Sequence, residues 1–306
     1  MSTAGAPRHD PIPIGEVATP PFARLPDPTS LFLQRAARFR ALAAAANELK
    51  AYLFFLAELS DVQHRIQDGL PVAELPAAEA LARAHDYGIP PLDRNRFVPD
   101  AAFEMTIDRL FAAMAEVEMP AVSVAALRRA RAADAAMLAE MVRSVLADSI
   151  PVEAMAEHVF VAAALQVHFA RLAAQLDAKS LTPVGDGACP VCGGPPVSSM
   201  VVGWRGAHGT RFCACALCAA LWNYVRIKCT VCGSTKGIGY QEIDGGAGTV
   251  KAEACNECGS YVKILYQVND PSLDPVADDV ATLGLDLLVR ETGFRRAGVN
   301  HFLQGY

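Results

Sequence analysis

The stretch between positions 189 and 258 decides the fold: Cys189-Pro190-Val191-Cys192, Cys215-Ala216-Leu217-Cys218, Cys229-Thr230-Val231-Cys232 and Cys255-Asn256-Glu257-Cys258. Twenty-two residues separate the first pair from the second, and twenty-two separate the third from the fourth. Each half therefore reads C-x2-C-x22-C-x2-C, and the halves are offset by 40 residues, a tandem internal repeat. Two cysteines three positions apart can turn both sulfurs toward one point. A tetrahedral ion then needs a second such knuckle, brought across from the far end of a hairpin. The expectation is two metal ions, one held by Cys189, Cys192, Cys215 and Cys218 and the other by Cys229, Cys232, Cys255 and Cys258. Sequential pairing is preferred because each half contains its own hairpin. An interleaved cross-brace, first pair with third and second with fourth, fits the same arithmetic.

Four thiolates suit both zinc and iron. The knuckle Cys189-Pro190-Val191-Cys192-Gly193 is of the rubredoxin kind and favours iron, with zinc the alternative. Gly193, Gly233 and Gly259 follow the second cysteine of their knuckles and suit a turn of positive φ. Ala219 stands at the equivalent place in the second knuckle, so that turn is expected to differ slightly. Each half is about 30–40 residues, too small for a hydrophobic core alone, and a structural zinc site contributes about 10–16 kcal/mol of apparent binding energy. All nine cysteines lie in this stretch, and Cys213 is the one outside the repeat. On a strand it shares a face with Cys215, and it reads as a small buried residue rather than a ligand or redox thiol. Both sites read as closed, so no catalytic residue is assigned.

Outward from the repeat the texture changes. Short β-like runs at 197–204, 210–215, 221–227, 238–243, 249–253 and 261–268 surround the cysteines, with hairpin loops at 205–209 and 244–248. Before them the chain is rich in Ala and Leu with a helical period. Ser30, Asp100 and Ser123 are expected helix caps, and Pro151 opens a helix reaching about Leu176. Met114 and Met141 read as core filling, and Arg128, Arg129 and Arg131 as a solvated face. A last helix is expected from Asp274-Pro275 to Gly293, followed by a loosely ordered tail. The fold class is α+β: a proline-rich arm at 1–28, a helical domain at 29–180, rubredoxin-like or zinc-ribbon β modules at 181–228 and 229–270, and a C-terminal helix and tail at 271–306.

Composition narrows the function. The net charge of -6 argues against nucleic-acid or membrane-surface binding. The first residues have no basic stretch leading into an apolar run, and no run of 18 apolar residues occurs. A cytoplasmic location without membrane insertion is expected, and there clustered Cys-x-x-Cys pairs read as metal sites rather than disulfides.

Within this frame the chain resembles a known family. The segments Cys189-Pro190-Val191-Cys192, Pro196-Val197-Ser198-Ser199-Met200, Cys215-Ala216-Leu217-Cys218 and Val225-Arg226-Ile227-Lys228-Cys229 carry the resemblance, as do Lys251-Ala252-Glu253, the run Cys255 to Gln267, and Val276-Ala277-Asp278-Asp279-Val280-Ala281. They are similar to the formate dehydrogenase accessory protein family (FdhE type). The resemblance covers the whole length, with its specific residues between about 189 and 285. It implies a cytoplasmic, non-enzymatic accessory protein whose eight paired cysteines form rubredoxin-like sites, with iron the expected ion. The implied partner is the catalytic subunit of respiratory formate dehydrogenase, bound before export in a redox or quality-control step. Cys213 lies outside the family pattern.

Two other readings stand beside it. One is a rubredoxin-like electron carrier. The other is a zinc-ribbon nucleic-acid binder, with Trp204, Phe212, Trp222 and Tyr224 as stacking residues. Against the latter, residues 189–268 carry seven Lys/Arg and four Asp/Glu, and two divalent four-thiolate sites at about -2 each turn that surplus slightly negative.

Overall fold

The computed structural model describes residues 19–45 and 48–303. Most of the expected N-terminal arm, residues 1–18, lies outside the described residues. The helical region comprises α1 (Pro28–Ala44), α2 (Lys50–Arg65), α3 (Ala78–Asp86), α4 (Ala101–Ala115), α5 (Ala121–Arg131), α6 (Ala135–Leu146) and α7 (Met155–Ala173).

Capping explains where several of these begin. Asp27 accepts the backbone N–H of Thr29 at 3.0 Å and the hydroxyls of Thr29 and Ser30 at 2.6 and 3.0 Å. With Pro28 in the first turn, α1 starts ahead of Ser30, which is not its cap. Asp100 caps α4 as expected, accepting from the Phe103 N–H at 2.7 Å. The single helix expected from Ser123 is two. Pro120 opens α5, and Asp134 starts α6 by accepting from the Met137 N–H at 2.8 Å. Pro151 precedes a short 3-10 turn, Val152–Ala154, that leads into α7.

The core of this region gathers Phe32 and Phe39 of α1, Leu53 and Leu56 of α2, Phe103 and Leu110 of α4, and Phe160 and Leu165 of α7. Each such burial contributes about 1.5–3 kcal/mol. Met114 and Met141 are buried in the same core. Arg128 and Arg131 are exposed, while Arg129 pairs with Glu157.

The cysteine repeat forms β2 (Pro196–Val201), β3 (Arg211–Cys215), β4 (Leu221–Asn223), β5 (Ile238–Gln241), β6 (Val250–Cys255) and β7 (Ser260–Leu265). Each half is antiparallel internally. The halves are fused by a parallel pairing of β2 with β7, Ser199 opposite Ile264 and Met200 opposite Leu265. A short strand ahead of α1, β1 (Ala23–Arg24), extends one edge by pairing with β4. The sheet order is β1-β4-β3-β2-β7-β6-β5. β2, β3 and β7 are buried along their whole length because both faces of the sheet centre are covered. β3 contributes to two clusters: Phe212 packs with Met200 and Leu265, whereas Cys213, Ala214 and Cys215 join the core shared with the helices.

The C-terminal helix expected over 274–293 breaks at Thr282 into α8 (Ala277–Ala281) and α9 (Leu283–Glu291). Thr282 leaves helical geometry and its carbonyl accepts from Lys263 Nζ of β7 at 3.1 Å. Arg38 of α1 donates to both carboxylate oxygens of Asp278, at 2.9 and 2.6 Å, which ties the two ends of the chain together. The tail is not loose over its described part. β8 (Arg295–Arg296) pairs with β7, and Asn300, His301 and Phe302 are buried. Their burial follows from the surface that α2, α7 and α8 leave for them, which no local pattern announces.

Candidate metal centres

The sheet brings the eight repeat cysteines together as two groups of four, in the sequential grouping. Within each group the four sulfurs lie within 4.8 Å of one another. In the first, Cys189 and Cys218 are 3.5 Å apart and Cys192 and Cys215 are 3.4 Å apart. In the second, Cys229 and Cys258 are 3.7 Å apart and Cys232 and Cys255 are 3.8 Å apart. A tetrahedral ion with metal–sulfur bonds of about 2.3 Å requires sulfur separations of about 3.8 Å, so the donor sets fit a four-thiolate ion.

Three of the four knuckles share one backbone device. The N–H of Gly193, Gly233 and Gly259 donates to the carbonyl of the first cysteine of its knuckle, at 2.8, 3.1 and 2.9 Å. These glycines have φ of +80°, +70° and +66°. Ala219 adopts the same left-handed conformation, φ +57°, so the second knuckle turns in the same sense as the others. Tertiary context imposes that conformation on a residue with a Cβ, at a cost of about 1–2 kcal/mol. Ala219→Gly is therefore expected to stabilise the protein by about 0.5–1 kcal/mol. A urea midpoint that stays put or falls would contradict this account of the knuckle.

The two centres differ in surroundings. All four sulfur-bearing residues of the first are buried and belong to the core that contains the helices. Burial pushes the Cys189 and Cys218 thiols well above their ordinary range, while hydrogen bonds from neighbouring thiols hold Cys215 well below it. The helical region reaches this centre directly, through N–H donation from Leu92 to the Val191 carbonyl at 2.9 Å and from Arg94 to the Cys192 carbonyl at 3.1 Å. The Arg94 guanidinium is buried and pairs with Asp148 at 2.7 Å. Burial opposes its charge, but Asp148 and the nearby Cys192 and Cys215 sulfurs hold it above the ordinary guanidinium range. Arg94 is thus a counter-charge for a four-thiolate centre, and sequence reading missed it. It lies about a hundred positions upstream, in a loop with no motif of its own.

In the second centre Cys229 and Cys255 are buried, Cys258 is partly exposed and Cys232 is exposed. Four sulfurs around a tetrahedral ion would leave no open position at either centre, but only the first group is buried throughout. The two are packed together through Gly187. A Cβ there would lie 1.9 Å from the Thr230 carbonyl oxygen, and the residue has φ +66°. Gly187→Ala must push two backbone segments apart, with an expected loss of about 2–3 kcal/mol read as a lower thermal midpoint. An unchanged midpoint would show that the contact is not tight in solution.

Cys213 is fully buried on β3 and joins neither group. Burial pushes its thiol up to about 12, as suits an inert core residue. The aromatic residues considered for stacking on bases are engaged elsewhere. Phe212 and Trp222 are buried, Trp204 packs on Phe212 at 5.1 Å between ring centroids, and the Tyr224 hydroxyl donates to the Cys229 carbonyl at 3.1 Å.

Comparison with known proteins matches this arrangement along nearly the full chain. Three family models match in order: FdhE, N-terminal, over residues 20–186; FdhE, central domain, over 188–226; and FdhE, C-terminal domain, over 227–303. The chain belongs to the FdhE family. Among its FdhE relatives, the Protein FdhE homolog of Rhizobium meliloti (strain 1021) is 47% identical over 299 residues, covering 97% of both chains. Protein FdhE of Salmonella newport (strain SL254) is 34% identical, over 90% of this chain and 88% of its own length. The crystal structure of the FdhE protein from Pseudomonas aeruginosa superposes with a TM-score of 0.82 at 30% identity, covering 93% of this chain and 99% of that one. The FdhE central model ends at residue 226 and the C-terminal one begins at 227, so the division between these models falls between the two four-cysteine groups. Among the described residues no helix is long and apolar enough to cross a membrane.

Proposed function

We propose that the protein is a cytoplasmic, non-enzymatic accessory protein of respiratory formate dehydrogenase that binds the enzyme's catalytic subunit before export. The observation that carries this reading is membership of the FdhE family across nearly the whole chain. The eight repeat cysteines act as ligands of two ions, with iron favoured over zinc. In this role the metal centres hold together the surface that meets the partner. The first does so by joining helices to sheet, since the loop carrying Leu92 and Arg94 is bonded to its first knuckle.

The test uses the full-length protein purified without oxygen and mixed with the immature catalytic subunit. A stable complex by size-exclusion chromatography with light scattering is expected, together with two metal ions per chain by elemental analysis. Absence of any complex with the immature subunit would sink the docking reading. A second reading, a rubredoxin-like electron carrier, is favoured by the exposure of Cys232 in the second centre, which lets a redox partner approach a ligand sulfur. A visible iron spectrum that bleaches reversibly on reduction supports it, and a colourless zinc protein excludes it.

A further inference from the structure

The second centre stands apart from every apolar cluster of the described residues. Cys189, Cys192, Cys215 and Cys218 all belong to the main core, whereas Cys229, Cys232, Cys255 and Cys258 belong to none of the three clusters. The nearest cluster is small, with Ala252, Ala254 and Tyr261 of the sheet against Leu285 and Val289 of α9. On the outer side, β5 is the edge strand of the sheet, pairs with β6 alone and is half-exposed to exposed along its length. Residues 234–237 and 242–247, which flank β5, are likewise half-exposed or exposed. The fourth knuckle meets this outer segment where Cys255 pairs with Ile238 of β5 and through the Asn256 N–H, which donates to the Gly237 carbonyl at 2.9 Å.

We infer that the second centre is an exchangeable metal site. Its thiophilic ion leaves and returns through local opening of the outer edge of the sheet, while the ion of the first centre is released only when the core unfolds. Loss of the outer ion frees the knuckle 229–232 and β5, and its return reorders them. The chain is then a metal-responsive protein in which an unchanging helical body carries an edge whose order follows occupancy of one site. The physical basis is that local openings cost anything from nearly nothing up to the full unfolding free energy, according to how much apolar contact they break. Opening the outer edge of the second centre breaks little apolar contact, whereas the first centre lies inside the apolar cluster that includes the helices. The inference rests on burial and clustering, and it holds whatever partner the protein serves.

The experiment takes the full-length, zinc-loaded protein, adds excess EDTA at neutral pH, and follows ions per chain by native mass spectrometry. Far-UV circular dichroism and hydrogen exchange are followed in parallel. One ion is expected to leave at least about 100-fold faster than the other, with helical dichroism unchanged and faster exchange confined to residues 229–258. Adding zinc back restores protection there. Cys232→Ser is expected to purify with one ion and the dichroism of the parent. Loss of both ions at one rate overturns the inference, as does first loss of protection at 189–218 or loss of helical signal along with the first ion.

Discussion

Replacing Cys189 with serine is expected to cost the first centre its ion and the protein most of its folded structure. Cys189 is fully buried, and its centre is the place where helices and sheet meet. A structural four-thiolate zinc site is worth about 10–16 kcal/mol of apparent binding energy, and a whole domain is stable by only about 5–15 kcal/mol. No rearrangement of water can replace the missing ligand, because the site is sealed. Three buried sulfurs would then face Arg94 alone, which already pairs with Asp148. The variant should accumulate as aggregated or protease-sensitive chain, and any soluble fraction should lack cooperative thermal unfolding. A soluble Cys189→Ser protein with one ion, native helical dichroism and an unchanged midpoint would show that the first centre is not a structural keystone.

The second large effect is expected at Lys263, whose side chain has no exposed surface. Its ammonium pairs with Asp286 and lies 3.4 Å from Asp279 Oδ1. It also donates to the Asp279 carbonyl at 2.7 Å and to the Thr282 hydroxyl at 3.0 Å. Arg296 completes the group, 2.5 Å from Asp279 and 2.7 Å from Asp286. Two buried carboxylates are thus balanced by two buried cations, and the group ties β7 to α8, α9 and the tail. Lys263→Met keeps the bulk of the stem but leaves two carboxylates to one arginine, at a cost of about 3–5 kcal/mol. The urea midpoint should fall accordingly. A fall of less than about 1 kcal/mol would mean that water or a proton compensates freely.

The same group sets a pH dependence. Burial opposes the charge on Asp279, but Arg296, Lys263 and a hydrogen bond from Asn300 outweigh it and hold its carboxyl below the ordinary range. A carboxylate with its folded pKa below the unfolded value contributes stability that is fully present above about pH 4 and lost as pH falls through the folded pKa. Removing Lys263 takes away part of that hold. The acid-unfolding midpoint of Lys263→Met should therefore lie at higher pH than that of the parent, measured by dichroism at fixed ionic strength.

Several elements were legible in the residues because the forces behind them act over a few positions. Asp100 caps α4, and the strand runs of the repeat appear where Val, Tyr and Thr cluster between glycines. Other expectations failed where a neighbour distant in sequence had the deciding contact. Thr282 interrupts the last helix because its carbonyl serves Lys263. The buried tail is placed by helices more than a hundred residues upstream, with the Phe302 carbonyl accepting from the Tyr52 hydroxyl at 2.6 Å.

The sequence by itself determined that eight cysteines form four knuckles in two repeats, because a knuckle is a local turn and the 22-residue spacing is a hairpin's length. It also carried the family, through residues in and around those knuckles. Only the tertiary structure decided that the repeats share one sheet through β2 and β7, that Arg94 balances the first centre, and that one centre is sealed while the other meets solvent. Two halves with the same spacing differ in burial because the helical region covers one and leaves the other at the edge. Coverage is a property of packing between distant segments, and no repeat written along the chain records it.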